Sequence, residues 1–313
     1  MKIISKTTKI DFLSKSRRRI ALAISAVLVI ASLVSLATRG LDFGIDFTGG
    51  ILLEVGYPQA ADLEEIRGNL TASGFADAQV QRFGRDTDVL LRLPPQPGTE
   101  ADEVRTRLQQ VLQADGDAID LRRVEFVSAQ VGSELAERGA LALVIALLLI
   151  FMYVMIRFQW KFSAGAVAAL VHDAIVTLGF FSFFHFPFDL TVVAALLAVI
   201  GYSLNDTVVA FDRIRENFFG LRGVTAEETM NTSINEMLAR TLITGLTTLL
   251  VLVALLTLGG ESIAPFSIAL IVGIIVGTYS SIYTASATAL ELNVNAQDLI
   301  EPIKDPSLID DLP

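Results

Sequence analysis

Cysteine is absent from the 313 residues, and histidine is nearly so, with only His172 and His185. The first absence excludes a disulfide framework, a thiolate metal site and a thiol nucleophile. The polar stretch 39–138 has neither residue type, and it holds no evident nucleophile–base pair. Its carboxylates are scattered as on a solvated face. The chain is therefore not expected to be an enzyme, and no cofactor or metal is called for. An extended basic face is missing too. With a net charge of −10, nucleic-acid binding has no support.

What the chain has in excess is apolar residues, 52% of the total, with a mean hydropathy of +0.57. That is too apolar for an ordinary soluble domain. The apolar residues fall in six blocks, 20–37, 139–156, 163–184, 190–211, 239–258 and 264–289. Each is near the roughly 17–25 residues of a membrane-spanning helix. "RFQWKF" (157–162) separates the second and third blocks as a tight turn at a membrane interface. The first block follows "SKSRRR". Its core of about 18 residues exceeds the roughly 7–15 of a signal peptide, so it reads as an uncleaved anchor.

Lys and Arg set the expected orientation. Residues 1–19 carry seven, the 157–162 turn two and the 212–240 connection four, whereas "HFPFD" (185–189) and "GGESIAP" (259–265) carry none. The positive-inside rule then places the basic segment 1–19 and the tail 290–313 in the cytoplasm, with 38–138 outside. The N-terminal segment, near +6, suits anionic lipid headgroups.

Segment 38–138 reads as one small α+β domain. Strands are expected at 51–57, 78–83, 88–93 (after a "GRD" turn) and 118–132, and helices at 61–74 and 100–114. The order βαββαβ is the ferredoxin-like split pattern. The expected fold class is thus a polytopic α-helical membrane protein of six spans. A ferredoxin-like extracytoplasmic domain lies between the first and second.

Ionisable groups in hydrocarbon cost about 2.5–3.5 kcal/mol each on insertion scales, which makes them functional candidates. Three stand out: Asp173 in "ALVHDAIVTLGF", Asp206 in "GYSLNDTVVAFDR", and Arg240 in "EMLARTLITGL". On a helix Asp206 shares a face with Tyr202 and Ser203, and with adjacent Asn205 these are expected to form a supporting polar face. Asp173 shares a face with Ala166, Ala169 and Thr177. Small and hydroxyl residues mark helix–helix contact, so both carboxylates are expected inside the bundle. Asp173 is either a functional acid or a structural one, paired with adjacent His172 or with backbone. Arg240 either serves Asp206 or snorkels to the interface. "GIIVG" (273–277) offers a close-packing face. Asp212, Arg213, Arg215 and Glu216 read as a solvated charge cluster beyond the apolar run. "TAEE" (225–228) reads as a capping box opening an amphipathic helix, with Met230, Ile234, Met237 and Leu238 on its apolar stripe.

"FGIDFTGG" (43–50), "HDAIVTLG" (172–179) and "GYSLNDTVVAFDRIREN" (201–217), in this layout of spans, resemble the SecF family of the bacterial Sec protein-export machinery. The wider architecture resembles half of an RND-type proton-driven transporter. The resemblance covers nearly the whole chain. It implies a bacterial inner-membrane subunit that pairs with SecD, associates with the SecYEG channel and its accessory subunits, and helps draw the translocating preprotein outward. Protons would be the coupling ion. The family's intramembrane carboxylate falls on Asp206, its partner arginine on Arg240 and its third-helix carboxylate on Asp173, and the resemblance implies that the three serve as a proton relay. The motif residues Gly44, Asp46, Gly49 and Gly50 would join domain to membrane, the two last glycines as a hinge or as an ordinary tight turn. Two other readings stand beside this one: an RND-type exporter of small molecules or lipids, and a scaffold that transduces nothing.

Overall fold

The computed structural model describes residues 9–95, 101–113, 119–221 and 223–295. The described chain forms ten α-helices and six strands. They run α1 (Lys15–Arg39), β1 (Asp42–Phe43), α2 (Ile45–Thr48), β2 (Gly50–Gly56), α3 (Leu63–Ala72), β3 (Gln79–Phe83), β4 (Arg85–Leu93), α4 (Ala101–Leu112) and β5 (Asp120–Val127). There follow α5 (Ala129–Arg157), α6 (Trp160–Phe184), β6 (Pro187–Phe188), α7 (Leu190–Gly220), α8 (Ala226–Leu258), α9 (Ala264–Ser280), a π-helical turn (Ser281–Ala285) and α10 (Ser286–Glu291). Six helical segments are long and apolar enough to cross a membrane, with α9 to α10 counted as one.

The α/β domain is a four-stranded sheet in the order β3-β4-β2-β5, every neighbour antiparallel. Alternation in β2 and β4 sends Leu53, Val55, Val89, Leu91 and Leu93 to one face. There they meet Ile66 and Leu70 of α3 and Val104, Leu108 and Leu112 of α4. Each such burial is worth about 1.5–3 kcal/mol. Helix α3 starts where Asp62 accepts hydrogen bonds from the amides of Glu64 (2.9 Å) and Glu65 (3.3 Å). The turn expected at "GRD" is tighter than that. Gly84 alone, at φ 76°, reverses the chain, and β4 starts at Arg85.

The strand expected over 118–132 ends instead at Val127. Ser128 then caps a helix, accepting from the Val131 amide at 3.3 Å. Helix α5 thus begins at Ala129, well before the apolar block at 139, because a capping serine rather than hydropathy sets its start. Residues 100, 114 and 118 of the expected elements lie outside the described residues. The cluster Asp212–Glu216 is not a connection either, since α7 continues through it to Gly220. Its side chains brace neighbours. Arg213 pairs with Glu216 and with Glu236 of α8, both at 2.7 Å, and Arg157 of α5 pairs with Asp212 at 2.5 Å. The capping box forms between Thr225 and Glu228, and the amphipathic stretch and fifth span run on as the one helix α8.

Within the bundle, half of the apolar stretch of both α6 and α7 is buried, against 6% for α5 and 17% for α8. Helices α6, α7 and α9 therefore form the centre. Their closeness depends on missing side chains. A Cβ on Gly273 would lie 2.2 Å from Val199 of α7, and one on Gly165 would lie 2.4 Å from the Ala285 carbonyl. Before α1, the extended segment around Ile10–Leu13 docks on α8. Asn235 accepts from the Ile10 amide (2.8 Å) and donates to its carbonyl (2.7 Å), while Leu13 is fully buried.

Candidate functional site: buried carboxylates in the helical bundle

In α7 the buried residues Val199, Ile200, Ser203, Asp206, Thr207, Ala210 and Phe211 recur at helical spacing. This stripe faces α6 and α9. Ser203 and Asp206 share it as the sequence leads one to expect. Asn205 does not: it is exposed, one position and about 100° around the helix from Asp206. It plays no part in the polar face to which the sequence reading assigned it. Tyr202 lies at the edge of the stripe, its hydroxyl buried without a hydrogen-bond partner.

Asp173, near the middle of α6, is fully buried. One carboxylate oxygen accepts from Ser203 Oγ of α7 at 2.5 Å and from Ser280 Oγ of α9 at 2.8 Å. The other lies 3.0 Å from His172 Nδ1. The pairing with His172, left open at the sequence level, is therefore formed. Gly277 allows the approach, since a Cβ there would come within 3.1 Å of Ser203 and 3.4 Å of Asp173. The "GIIVG" face thus brings α9 against this carboxylate.

Asp206 sits one turn beyond Ser203, about 4.5 Å along the axis, toward the end of the bundle where the described residues start and stop. It is 7% exposed, and its Oδ2 has no hydrogen-bond partner. Arg240, on α8, lies within electrostatic reach of it. The two form no ion pair within 4.0 Å, and Arg240 is an exposed side chain. Arg240 instead lines an open cleft of about 400 Å³ between α7 and α8, with Asp212, Arg213, Glu216 and Glu236 around it. The structure thus brings Asp173, Ser203 and Asp206 into one core and holds Arg240 at its edge.

Several polar residues here were missed by sequence reasoning. Thr207 Oγ1 bonds Ser281 Oγ at 3.0 Å, and Ser281 Oγ reaches the Ser203 carbonyl at 3.4 Å. Ser280 and Ser281 flank the start of the π-helical turn, a feature frequent at functional sites. The signal was present as the hydroxyl-rich "TYSSIYTASAT" (278–288) in an otherwise apolar block. Among the described residues, no cluster of three or more His, Cys, Asp or Glu is placed to hold a metal ion.

The motif 43–50 forms a junction between the α/β domain and the bundle. Strand β1 pairs parallel with β6, and the Gly44 amide donates to the Phe188 carbonyl at 2.8 Å. Asp46 accepts from the Leu190 amide at 2.9 Å, at the N-terminus of α7. Phe43, Phe47 and Phe188 pack ring on ring. Gly49 and Gly50 have φ of 71° and 123°, and both are packed against backbone. A Cβ on Gly49 would lie 2.7 Å from Ala129 Cα, and one on Gly50 2.2 Å from the Leu93 carbonyl.

The sequence matches the family model "Protein export membrane protein SecD/SecF, C-terminal" over residues 107–295 and the "SecD/SecF GG Motif" over 34–61. It is 50% identical to the protein translocase subunit SecF of Pseudomonas aeruginosa over 286 residues, which cover 91% of this chain and 92% of that protein. Identity to the Escherichia coli O157:H7 subunit SecF is 43%, covering 90% and 88%. The fold superposes on the crystal structure of SecDF, a translocon-associated membrane protein from Thermus thermophilus, with a TM-score of 0.84 at 35% identity. That match covers 94% of this chain and 40% of the longer one. A structure of SecDF in a super-membrane-facing form matches with a TM-score of 0.68, over 91% and 39%.

Proposed function

The chain belongs to the SecD/SecF family of protein-export membrane proteins, and on that premise we propose that it is the SecF-type half of a proton-driven export complex. The family membership and the six apolar segments support a multi-pass membrane subunit for Sec protein translocation. The finer reading places it in a bacterial inner membrane, with both termini cytoplasmic and the α/β domain periplasmic. The domain is read as ferredoxin-like, on the βαββαβ order and the β3-β4-β2-β5 sheet. The matched SecDF chain is more than twice as long as this one. A SecD-type subunit would supply the remainder. SecYEG and a translocating preprotein are the further partners.

The observation that carries the proton-coupled reading is Asp206. It is buried at membrane depth with one carboxylate oxygen free of partners, and Arg240 is within electrostatic reach. A carboxylate held by structure alone would be expected to have its oxygens satisfied. Protonation removes its charge and its attraction to Arg240, and so biases helix packing. One proton crossing about 100 mV releases about 2.3 kcal/mol. The charged cleft at Arg240 offers access from the terminal end. Helix α7 runs from Asp206 back to the junction at Asp46, so a change in its packing reaches the α/β domain.

The test is Asp206→Asn, which keeps size and polarity and cannot ionise. In membrane vesicles at equal complex abundance, stimulation of export by the proton gradient should be lost while export driven by ATP alone persists. Wild-type stimulation would leave Asp206 as a packing residue and favour the scaffold reading.

A further inference from the structure

We propose that His172 and Asp173 form a second proton-binding site, in which the imidazole loads the carboxylate and Ser203 passes its state to the turn holding Asp206. This deepens the proton-driven reading above and rests on it, and it adds His172 at a depth other than that of Asp206 and Arg240. His172 is 4% exposed and Asp173 fully buried. With hydroxyls of Ser203 and Ser280 on one oxygen and His172 Nδ1 on the other, the carboxylate accepts three hydrogen bonds. This set fits the ionised form, which only accepts. The imidazole then carries its proton on Nδ1. That leaves Nε2 as a bare acceptor, buried and without a partner. Nε2 is the one basic position of the cluster not already spoken for.

The proton balance is simple. A proton arriving at Nε2 makes imidazolium, paired with the Asp173 carboxylate. Transfer of the Nδ1 proton to Asp173 Oδ1 leaves a neutral imidazole of the opposite tautomer and a neutral carboxylic acid. One proton has entered at Nε2 and one has moved to the carboxyl, and no other reactant is needed. Two buried hydroxyls without a protein partner, Thr177 on α6 and Ser267 on α9, lie in depth between this pair and the end bearing the α/β domain. A proton reaching Nε2 from that end would pass these two hydroxyls. Asp206 lies on the other side.

The surroundings contain little else that titrates. Helix α1 brings no acid or base between Ile20 and Thr38. Helix α6 has none between Lys161 and His185 beyond the pair itself, and α5 brings only Tyr153 between Arg138 and Arg157. Helix α9 brings Tyr279, its ring 6.4 Å from the imidazole and its hydroxyl donating to the Ala21 carbonyl. Helix α7 brings Asp206 and Tyr202, whose buried hydroxyl has no hydrogen-bond partner, the π-helical turn brings Tyr283 against Tyr279, and beyond Asp206 α8 brings Arg240. The coupling element is the hydroxyl set. When Asp173 becomes a neutral acid, the hydrogen bonds from Ser203 and Ser280 weaken, since charge assistance is lost. Ser203 is one turn from Asp206. Ser281 ties both Thr207 and the Ser203 carbonyl to the π-helical turn. Loading the pair therefore loosens the α7–α9 contact beside Asp206.

The experiment uses the full chain assembled with its SecD-type partner in lipid, transferred into D2O and followed by infrared spectroscopy. The protonated Asp173 carboxyl is identified as the band lost in Asp173→Asn. Its deuterium exchange should slow at least tenfold in His172→Asn, whose amide imitates Nδ1–H but offers no basic nitrogen, and stay at the wild-type rate in Asp206→Asn. If His172→Asn does not accumulate, His172→Gln serves the same purpose. Wild-type exchange in the histidine variant, or no band assignable to Asp173 at any pH, overturns the proposal. Gradient-driven export that survives Asp206→Asn, with histidine-dependent exchange intact, overturns the export reading and leaves this site standing.

Discussion

Two aspartates are equally hidden and differently served: Asp88 is 6% exposed and Asp206 7%. Asp88, in the α/β domain, accepts from Arg122 at 2.8 Å, Arg85 at 3.0 Å and Thr87 at 2.9 Å. Burial pushes its pKa up, but the hydrogen bonds from Arg122, Arg85 and Thr87 outweigh it and hold the carboxyl below its ordinary range. A pKa depressed in the fold means that the stabilisation is fully present above the unfolded value of about 3.9. It is lost as pH falls through the lower folded value. Protease resistance of this domain in the intact protein should therefore fall away below about pH 4, and Asp88→Asn should flatten that dependence while lowering resistance at neutral pH. A carboxylate braced by two guanidinium groups, as Asp88 is by Arg85 and Arg122, fastens its domain. Asp206, with a bare oxygen, has no such duty, and that contrast is why the proton-coupling role is assigned to it.

At the scale of elements, the apolar blocks and their periodicity made the helices legible, because burial in lipid or core is a property of composition along the chain. Helix ends were less so. Ser128 starts α5 ahead of its apolar block, and α7 carries Asp212–Glu216 as helix, because caps and cross-helix ion pairs decide those limits. Asp206 and Asp173 stood out as charges in apolar runs. Ser280 and Ser281 did not, since a hydroxyl in such a run is cheap and common. Nor could the sequence decide between hinge and packed turn at Gly49 and Gly50. The deciding atoms belong to Ala129 and to the Leu93 carbonyl, remote in sequence. The observed packing makes the junction a stiff one. Gly132→Ala would set a Cβ 2.7 Å from the Gly49 amide nitrogen, where only backbone could yield. A cost of about 1–3 kcal/mol is expected, seen as a lower thermal unfolding midpoint. Asp46→Ala, which removes one carboxylate from the start of α7, should cost about 1 kcal/mol and Asp46→Asn less. Equal effects of the two would show that the contact to the Leu190 amide carries no weight.

On the scale of the whole molecule, the junction and the centre of the bundle belong to one helix. Helix α7 begins at the contact with Asp46, passes Ser203 and Asp206, and ends in the charged brace with α5 and α8. A device that converts proton entry into motion of the domain needs the two ends of this helix in different compartments. The basic residues argue for that arrangement: they crowd the terminal end and are absent from 185–189 and 259–265. The lack of cysteine makes the test clean, because an introduced thiol is the only one in this chain. Gln81→Cys on the exposed edge of β3 and Phe219→Cys at the far end of α7 are both surface positions. In intact cells with a permeable outer envelope, an impermeant maleimide should label the first and not the second. Inverted membrane vesicles should reverse the pattern. Labelling of both from one side would place the α/β domain and the terminal end of α7 in the same compartment, and α7 could then carry no transmembrane coupling. Labelling of Phe219→Cys alone in intact cells would turn the molecule over and send protons from the Arg240 cleft toward the α/β domain, against the direction that export requires.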